Sequence, residues 1–230
     1  MSPHDETVGS PGERMVQKQF GTADRAADFY DRQMHDFLTP PMREFIARQT
    51  MVFLSTADAS GACDSTFRAG PPGFVTALDA RTLTYPEYRG NGVLASVGNI
   101  AENPHLGLLF IDFTRHHIGL HINGAAELRT EQEQRAEYPG LPMDAAPGRQ
   151  PQMWIHMTVE EAYVHCSKHI PHLEPAPRPR ASEMNRPKDS AYFTDRMPAH
   201  PAASGASGAF GADSGESLPE SRRLRRWLRR

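Results

Sequence analysis

The sequence predicts a mainly β domain with flanking helices, an α+β fold whose strands form a closed or partly open antiparallel barrel. Two observations support this prediction. Residues 51–128 are rich in Val, Ile, Leu and Phe, which recur in short runs. Turn residues separate most of these runs, so consecutive strands are expected to pair as antiparallel hairpins.

Composition favours one core between two tails. The chain has 230 residues, 38% of them hydrophobic, with 18 Gly and 20 Pro. We predict a flexible tail over residues 1–20, a single domain over 21–173 and a disordered tail over 174–230. The outer segments carry too little apolar surface to offset the entropy of ordering them.

Charge and cysteine usage limit the classes of partner and compartment. The net charge of −3 gives no bulk electrostatic reason to expect nucleic acid as a partner. Cys63 and Cys166 are too few for a disulfide framework. No apolar run is long enough to span a membrane, and residues 1–6 lack the features of a signal peptide. We therefore expect a cytoplasmic protein.

Two helices are predicted before the strands. Residues 22–34 place apolar side chains at helical spacing. Thr39 suits the N-cap of the second helix, because Pro40 and Pro41 then occupy first-turn positions where a missing N–H costs nothing.

About six strands follow, and a short helix is predicted over residues 93–101. The strands are drawn from the runs at residues 51–56, 63–68, 74–78, 82–85, 106–111, 118–128 and 153–165. The run 106–111 is continuously apolar, which is typical of a strand buried on both faces.

Residues suited to binding a phosphate lie between these elements. Arg68 ends a strand before a Gly-Pro-Pro-Gly loop, whose backbone suits close approach to a flat ligand. Arg89 and Asn91 lie on a glycine-flanked loop, and Ser96 lies on the short helix that follows. Two guanidinium groups and a helix N-terminus are what a phosphate dianion requires. The alternative is that Arg68 is a surface ion-pair partner and the loop a simple connector.

Metal binding is not predicted. Four histidines lie on or beside predicted strands, namely His116, His117, His121 and His156. No Cys or carboxylate stands at ligand spacing with them.

Three ordered motifs extend this interpretation. They are Phe-Leu-Ser-Thr-Ala-Asp-Ala-Ser-Gly at 53–61, Ser-Thr-Phe-Arg-Ala-Gly-Pro-Pro-Gly-Phe-Val at 65–75, and Tyr-Pro-Glu-Tyr-Arg-Gly-Asn-Gly at 85–92. They resemble the pyridoxamine 5′-phosphate oxidase-like family and, within it, the predicted flavin-nucleotide-binding subgroup. The resemblance covers residues 38–172. It implies a split antiparallel β-barrel of the FMN-binding type, forming a homodimer with one FMN at each subunit interface.

The resemblance also implies the residues that bind the cofactor. Arg68, and with it Arg89, Asn91 and Ser96, would contact the phosphate. Backbone at 65–67 and 70–74 would line the isoalloxazine ring. Lys168 would reach the flavin of the neighbouring subunit. The predicted cofactor-binding set is Ser65, Thr66, Phe67, Arg68, Gly70, Pro71, Pro72, Gly73, Arg89, Asn91, Ser96 and Lys168.

Departures from the family's true oxidases argue against pyridoxamine phosphate as the substrate. Those enzymes carry an Arg-Lys pair in the phosphate loop, where this chain has Arg89, Gly90 and Asn91. They also carry a C-terminal Arg-rich segment, where this chain has a Pro-rich run at 175–180.

The main functional hypothesis is an FMN-dependent oxidoreductase that acts on an unidentified small molecule, with an electron donor such as NAD(P)H. No catalytic residue is assigned, although His165 and His169 are candidates for moving a proton. Two alternatives stay open: a flavin-binding or sensing module without turnover, and the same barrel using haem or a deazaflavin.

The end of the chain carries a separate pattern. Residues 221–230 place Leu224, Trp227 and Leu228 at helical spacing among six Arg. The pattern is that of a solvated tail, or of a basic amphipathic segment that contacts anionic membranes or acidic partners.

Overall fold

Seven strands form one antiparallel sheet in the computed structural model, which describes residues 8–143, 146 and 148–177. The strands are β1 (Met51–Ala57), β2 (Cys63–Ala69), β3 (Thr76–Ala77), β4 (Thr82–Tyr88), β5 (His105–Asp112), β6 (Ile118–Arg129) and β7 (Pro151–His165). Their order is β2-β1-β5-β6-β7-β4-β3. Together with the flanking helices, this sheet confirms the predicted fold class, a split antiparallel β-barrel.

Five helices flank the sheet within the described residues. They are α1 (Pro11–Phe20), α2 (Ala23–Arg32), α3 (Pro40–Arg48), α4 (Ala95–Glu102) and α5 (Glu131–Glu137). The predicted N-cap of α3 is confirmed, because the Thr39 hydroxyl accepts the Met42 N–H. None of the helices in this part of the chain is long and apolar enough to cross a membrane.

The first predicted hairpin is confirmed. β1 pairs with β2 from Met51↔Ala69 to Ala57↔Cys63. Asp58 forms the turn, since its carboxylate accepts the N–H groups of Ser60 and Ala62 at 2.8 and 2.9 Å. This turn fixes which residues of β2 face the barrel interior and which face outward.

Alternating side chains build the core on the inner face of the sheet. The fully buried members include Val52 and Leu54 of β1, Leu106, Leu108 and Phe110 of β5, Ile122 of β6, and Ile155 and Met157 of β7. Phe45 and Ile46 of α3 pack into the same core. The inner face is therefore apolar along most of the sheet.

The prediction that β5 is buried on both faces is wrong for the chain by itself. Leu106, Leu108 and Phe110 are buried, whereas Leu109 and Ile111 on the other face are only half-buried.

Two helices arise where the sequence analysis predicts none. Residues 11–20, placed in the predicted flexible tail, form α1. Ser10 caps its first turn by accepting the Glu13 N–H at 3.1 Å. The Tyr30 hydroxyl of α2 donates to Glu13 at 2.8 Å and so ties the two helices together. α5 begins with a capping box between Thr130 and Glu133.

Most of the predicted C-terminal tail lies outside the described residues. Residues 178–230, including the basic amphipathic segment at 221–230, are outside the described residues, as are residues 1–7.

Candidate functional site

An ion pair joins β2, at one end of the sheet, to β4, near the other end. β2 is first in the sheet order and β4 is next to last, so no backbone ladder connects them. The Arg68 Nε–H of β2 donates to Glu87 Oε2 of β4 at 2.9 Å, and the side chains are 18% and 8% exposed. We call this gap between β2 and β4, bridged by Arg68 and Glu87, the seam.

The Arg68 guanidinium is held at every nitrogen. Its Nη1 donates to Thr66 Oγ1 and to the Phe67 carbonyl, both at 3.0 Å. Its Nη2 donates to Ser96 Oγ at 2.8 Å. One side chain therefore links β2, β4 and α4, and it closes the seam through hydrogen bonds rather than through strand pairing.

The N-terminus of α4 lies at the same point. Ser96 is the second residue of the helix and is buried, with 4% exposed. Leu94, at the N-cap, has a left-handed backbone with φ of 53° and supplies no side-chain cap. The Asn99 amide donates to Thr56 Oγ1 of β1 at 3.0 Å and anchors the helix. The positive end of the α4 dipole therefore lies beside Arg68, an arrangement that favours an anion.

Tyr85 is a buried neutral phenol close to the ion pair. Its side chain is 1% exposed, and burial together with the Glu87 carboxylate raises its pKa far above the usual range, while Arg68 lowers that pKa to a smaller extent. Within the described residues its hydroxyl has no hydrogen-bond partner. A buried hydroxyl without a partner opposes folding.

We expect Tyr85→Phe to stabilise the ligand-free protein by about 1 kcal/mol, because it removes an unsatisfied buried hydroxyl and keeps the ring. The free energy of unfolding in urea measures this effect. A loss of stability of the same size would show that the hydroxyl makes a favourable contact.

The predicted residues of β2 fall on two faces. Thr66 and Arg68 face the seam, whereas Ser65 and Phe67 face outward, with Phe67 48% exposed. The Phe67 ring lies beside that of Phe53, with 5.5 Å between the ring centroids. A ligand that contacts both sets of residues would have to pass over the edge strand β2.

The predicted loop residues Gly70, Pro71, Pro72 and Gly73 form a tight connection to the buried core. The Gly70 N–H donates to the Thr50 carbonyl, and the Phe74 N–H donates to the Pro71 carbonyl. A Cβ on Gly70 would lie 2.5 Å from the Phe74 ring. Glycine at this position therefore lets Phe74 pack beneath the loop.

The other predicted residues are not bonded to Arg68. Arg89 and Asn91 are exposed on the loop after β4, where the Asn91 side chain accepts the Val93 N–H. Lys168 is exposed beyond the end of β7, whereas Glu87 pairs with Met153 near the start of that strand. Lys168 therefore lies away from the seam.

Glu87 is the site residue that the sequence analysis missed. Leu83, Tyr85 and Glu87 alternate along one face of β4, and all three are buried. A carboxylate at the third position of an otherwise apolar, inward-facing series requires a cationic partner. That alternation was the available signal.

A second polar cluster lies on the outer face of the sheet. His121 Nε2 and His165 Nδ1 are 2.8 Å apart, and the His121 ring stacks on Tyr163 with 4.7 Å between centroids. Burial and the neighbouring His165 lower the pKa of His121. His165, a predicted proton carrier, is thus paired with a second imidazole.

A cavity of about 570 Å³ lies next to this outer cluster, and Tyr30, Glu161 and Tyr163 are among its lining residues. None of the seam residues lines it. The described residues contain no group of three His, Cys, Asp or Glu side chains arranged to hold a metal ion.

The part of the chain that contains the seam matches the model of a known protein family. The model of the pyridoxamine 5′-phosphate oxidase family matches residues 38–166. No curated protein matches the chain.

Solved structures give weaker likenesses. HupZ of Group A Streptococcus is 21% identical, with 60% of this chain and 99% of that chain covered and a TM-score of 0.43. An FMN-binding protein of Syntrophomonas wolfei is 11% identical, with 68% and 98% covered and a TM-score of 0.40. HutZ, a haem storage protein of Vibrio cholerae, is 14% identical, with 55% and 94% covered and a TM-score of 0.36. With TM-scores this low, these likenesses assign neither cofactor nor activity.

Proposed function

The chain belongs to the pyridoxamine 5′-phosphate oxidase family, and from that premise we propose that it is an FMN-binding oxidoreductase. Bound FMN would supply hydride transfer through its N5 atom. The substrate would be a small molecule and the electron donor a reduced nicotinamide. Pyridoxamine phosphate is not proposed as the substrate. The chain has Arg89, Gly90 and Asn91 in place of the family's Arg-Lys pair, and a Pro-rich run at 175–180 in place of the Arg-rich segment that holds the substrate phosphate.

The convergence of Arg68, Ser96 and the α4 N-terminus is the observation that carries this proposal. Arg68 Nη2 and Ser96 Oγ are 2.8 Å apart beside the start of the helix. A phosphate monoester accepts charge-assisted hydrogen bonds from guanidinium, hydroxyl and first-turn N–H groups. Arg89, on the loop that leads to α4, would contribute the second cation.

The edge position of β2 supports a flat ligand next to this phosphate site. Among the strands that the structure describes, β2 pairs with β1 alone, so one row of its backbone N–H and C=O groups is available to a ligand. The isoalloxazine ring has polar atoms along one edge that such a row can bind. We place the ring along residues 65–67 and the Gly70–Gly73 loop.

A homodimer is proposed from the outer face of the sheet. A row of directly paired residues crosses five strands: Phe67, Phe53, Leu109, His121 and Tyr163. Phe53 and Phe67 are 36% and 48% exposed. A second copy packed on this row would bury the phenylalanines. It would also bring the Lys168 of that second copy near the flavin bound to the first.

One observation favours the non-catalytic alternative, a flavin-binding or sensing module. Glu87 is committed to Arg68, and Tyr85 is a neutral phenol, so neither group at the seam is a ready general base. Reduction of bound FMN by NADPH or NADH under anaerobic conditions distinguishes an oxidoreductase from such a module.

The absorbance spectrum of the purified protein, followed by titration with FMN and riboflavin, tests the cofactor. We expect flavin bands, and an affinity for FMN at least about tenfold higher than for riboflavin, because the phosphate adds charge-assisted contacts. Haem or deazaflavin bands, or equal affinity for the two flavins, would contradict the proposal.

A further inference from the structure

Glu87 places a negative charge inside a site proposed to bind an anion. Its side chain is 8% exposed and contacts the guanidinium that the phosphate would use. A carboxylate at this distance repels a phosphate, so its presence requires a reason. The hydrogen bonds of Arg68 supply a reason for the presence of Glu87.

The Arg68 side chain is oriented by its partners rather than by its own packing. Guanidinium is planar, and its five N–H groups have fixed directions. With Nε held by Glu87 and Nη1 held by Thr66 and Phe67, the direction of Nη2 is determined. Nη2 then lies at Ser96 and the start of α4.

Glu87 is the only anionic member of this set of partners. Thr66 Oγ1, Ser96 Oγ and the Phe67 carbonyl are neutral acceptors, and the nearby Tyr85 is held as a neutral phenol. An unpaired cation in this largely buried place would be costly. Glu87 therefore keeps Arg68 in the seam with its Nη2 edge toward α4.

We propose that Glu87 is a positioning residue that fixes Arg68 for contact with a ligand phosphate, and that this positioning makes the site select FMN over riboflavin. The inference rests on the proposed function. It assigns to β4 a part in phosphate recognition, although Glu87 itself does not contact the phosphate.

Glu87→Ala tests the proposal in the full-length protein. We expect the Kd for FMN to rise by about fivefold, the effect of one misdirected hydrogen bond, with the Kd for riboflavin changed by less than about twofold. Glu87→Gln keeps an acceptor for the Nε–H and is expected to retain the native FMN affinity or exceed it, because it also removes a repelling charge.

A double variant separates positioning from an independent effect. Glu87→Ala combined with Arg68→Ala should bind FMN no more weakly than Arg68→Ala by itself, since Glu87 acts through Arg68. Glu127→Ala is the matched control, because it removes an exposed carboxylate that pairs with Arg129. Its FMN affinity should equal that of the native protein.

Three outcomes overturn the inference: native FMN affinity in Glu87→Ala, equal losses for FMN and riboflavin, or additive losses in the double variant. If Glu87→Ala does not fold, Glu87→Met fills a similar volume without an acceptor and carries the same expectation. A native protein that binds no FMN refutes the proposed function itself. A native protein that binds FMN with no effect of Glu87 refutes only the positioning role.

Discussion

Replacing Arg68 by alanine is expected to weaken FMN binding by about tenfold or more, because a charge-assisted contact to phosphate contributes about 1.5–3 kcal/mol. Riboflavin lacks the phosphate, so its affinity should change little. The ratio of the two dissociation constants, measured by fluorescence titration, isolates the phosphate contribution from any general damage to the site.

Arg68→Ala also affects Glu87, the ion-pair partner of Arg68. In Arg68→Ala the buried Glu87 carboxylate loses its cation, which destabilises the fold. The comparison is therefore repeated in Arg68→Ala with Glu87→Gln. Arg81→Ala is the control, since it removes a guanidinium from an exposed pair with Asp36. Equal losses of FMN and riboflavin affinity would contradict the assignment of Arg68 to the phosphate.

Replacing Phe67 by aspartate is expected to raise the dissociation constant of the homodimer by about a hundredfold or more, because a charge would be buried in an apolar interface. Phe67 lies at the end of the outer row, beside Phe53, where an aspartate in the ligand-free monomer would remain solvated. Light scattering at micromolar concentration should show dimers for the native protein and monomers for the variant.

Leu128→Asp is the matched control for this prediction. Leu128 is an apolar residue of β6 with 36% exposure, comparable to Phe53, and it does not belong to the outer row. Its aspartate variant should remain dimeric. A native protein that is monomeric while it holds FMN would refute the dimer.

Arg68 illustrates what the sequence predicts about a site residue and what it leaves open. The sequence supports two interpretations of this residue, a phosphate ligand and an ion-pair partner. The structure shows the ion pair, but the partner is a buried glutamate at the proposed site rather than a surface acid. The two interpretations are therefore compatible, and only the position of Glu87 could show it.

The sequence by itself determined the elements whose signals are local. Thr39 with Pro40 and Pro41 marks the start of α3, and the turn at Asp58 marks the first hairpin. Caps, turns and strand alternation depend on residues a few positions apart, so they can be predicted from the sequence without knowledge of the fold. Two such signals, Ser10 before α1 and the Thr130–Glu133 capping box, mark helices that the sequence analysis does not predict.

Tertiary structure decided the seam. Arg68 contacts Glu87, 19 positions away on a strand that is not its neighbour in the sheet, and Ser96, 28 positions away on α4. Which distant side chains meet depends on how the sheet curls, and no short-range pattern encodes that curvature. The same reason explains the outer row, where Phe67 and Tyr163 lie four strands apart on one face, a relation set by the strand order and registers.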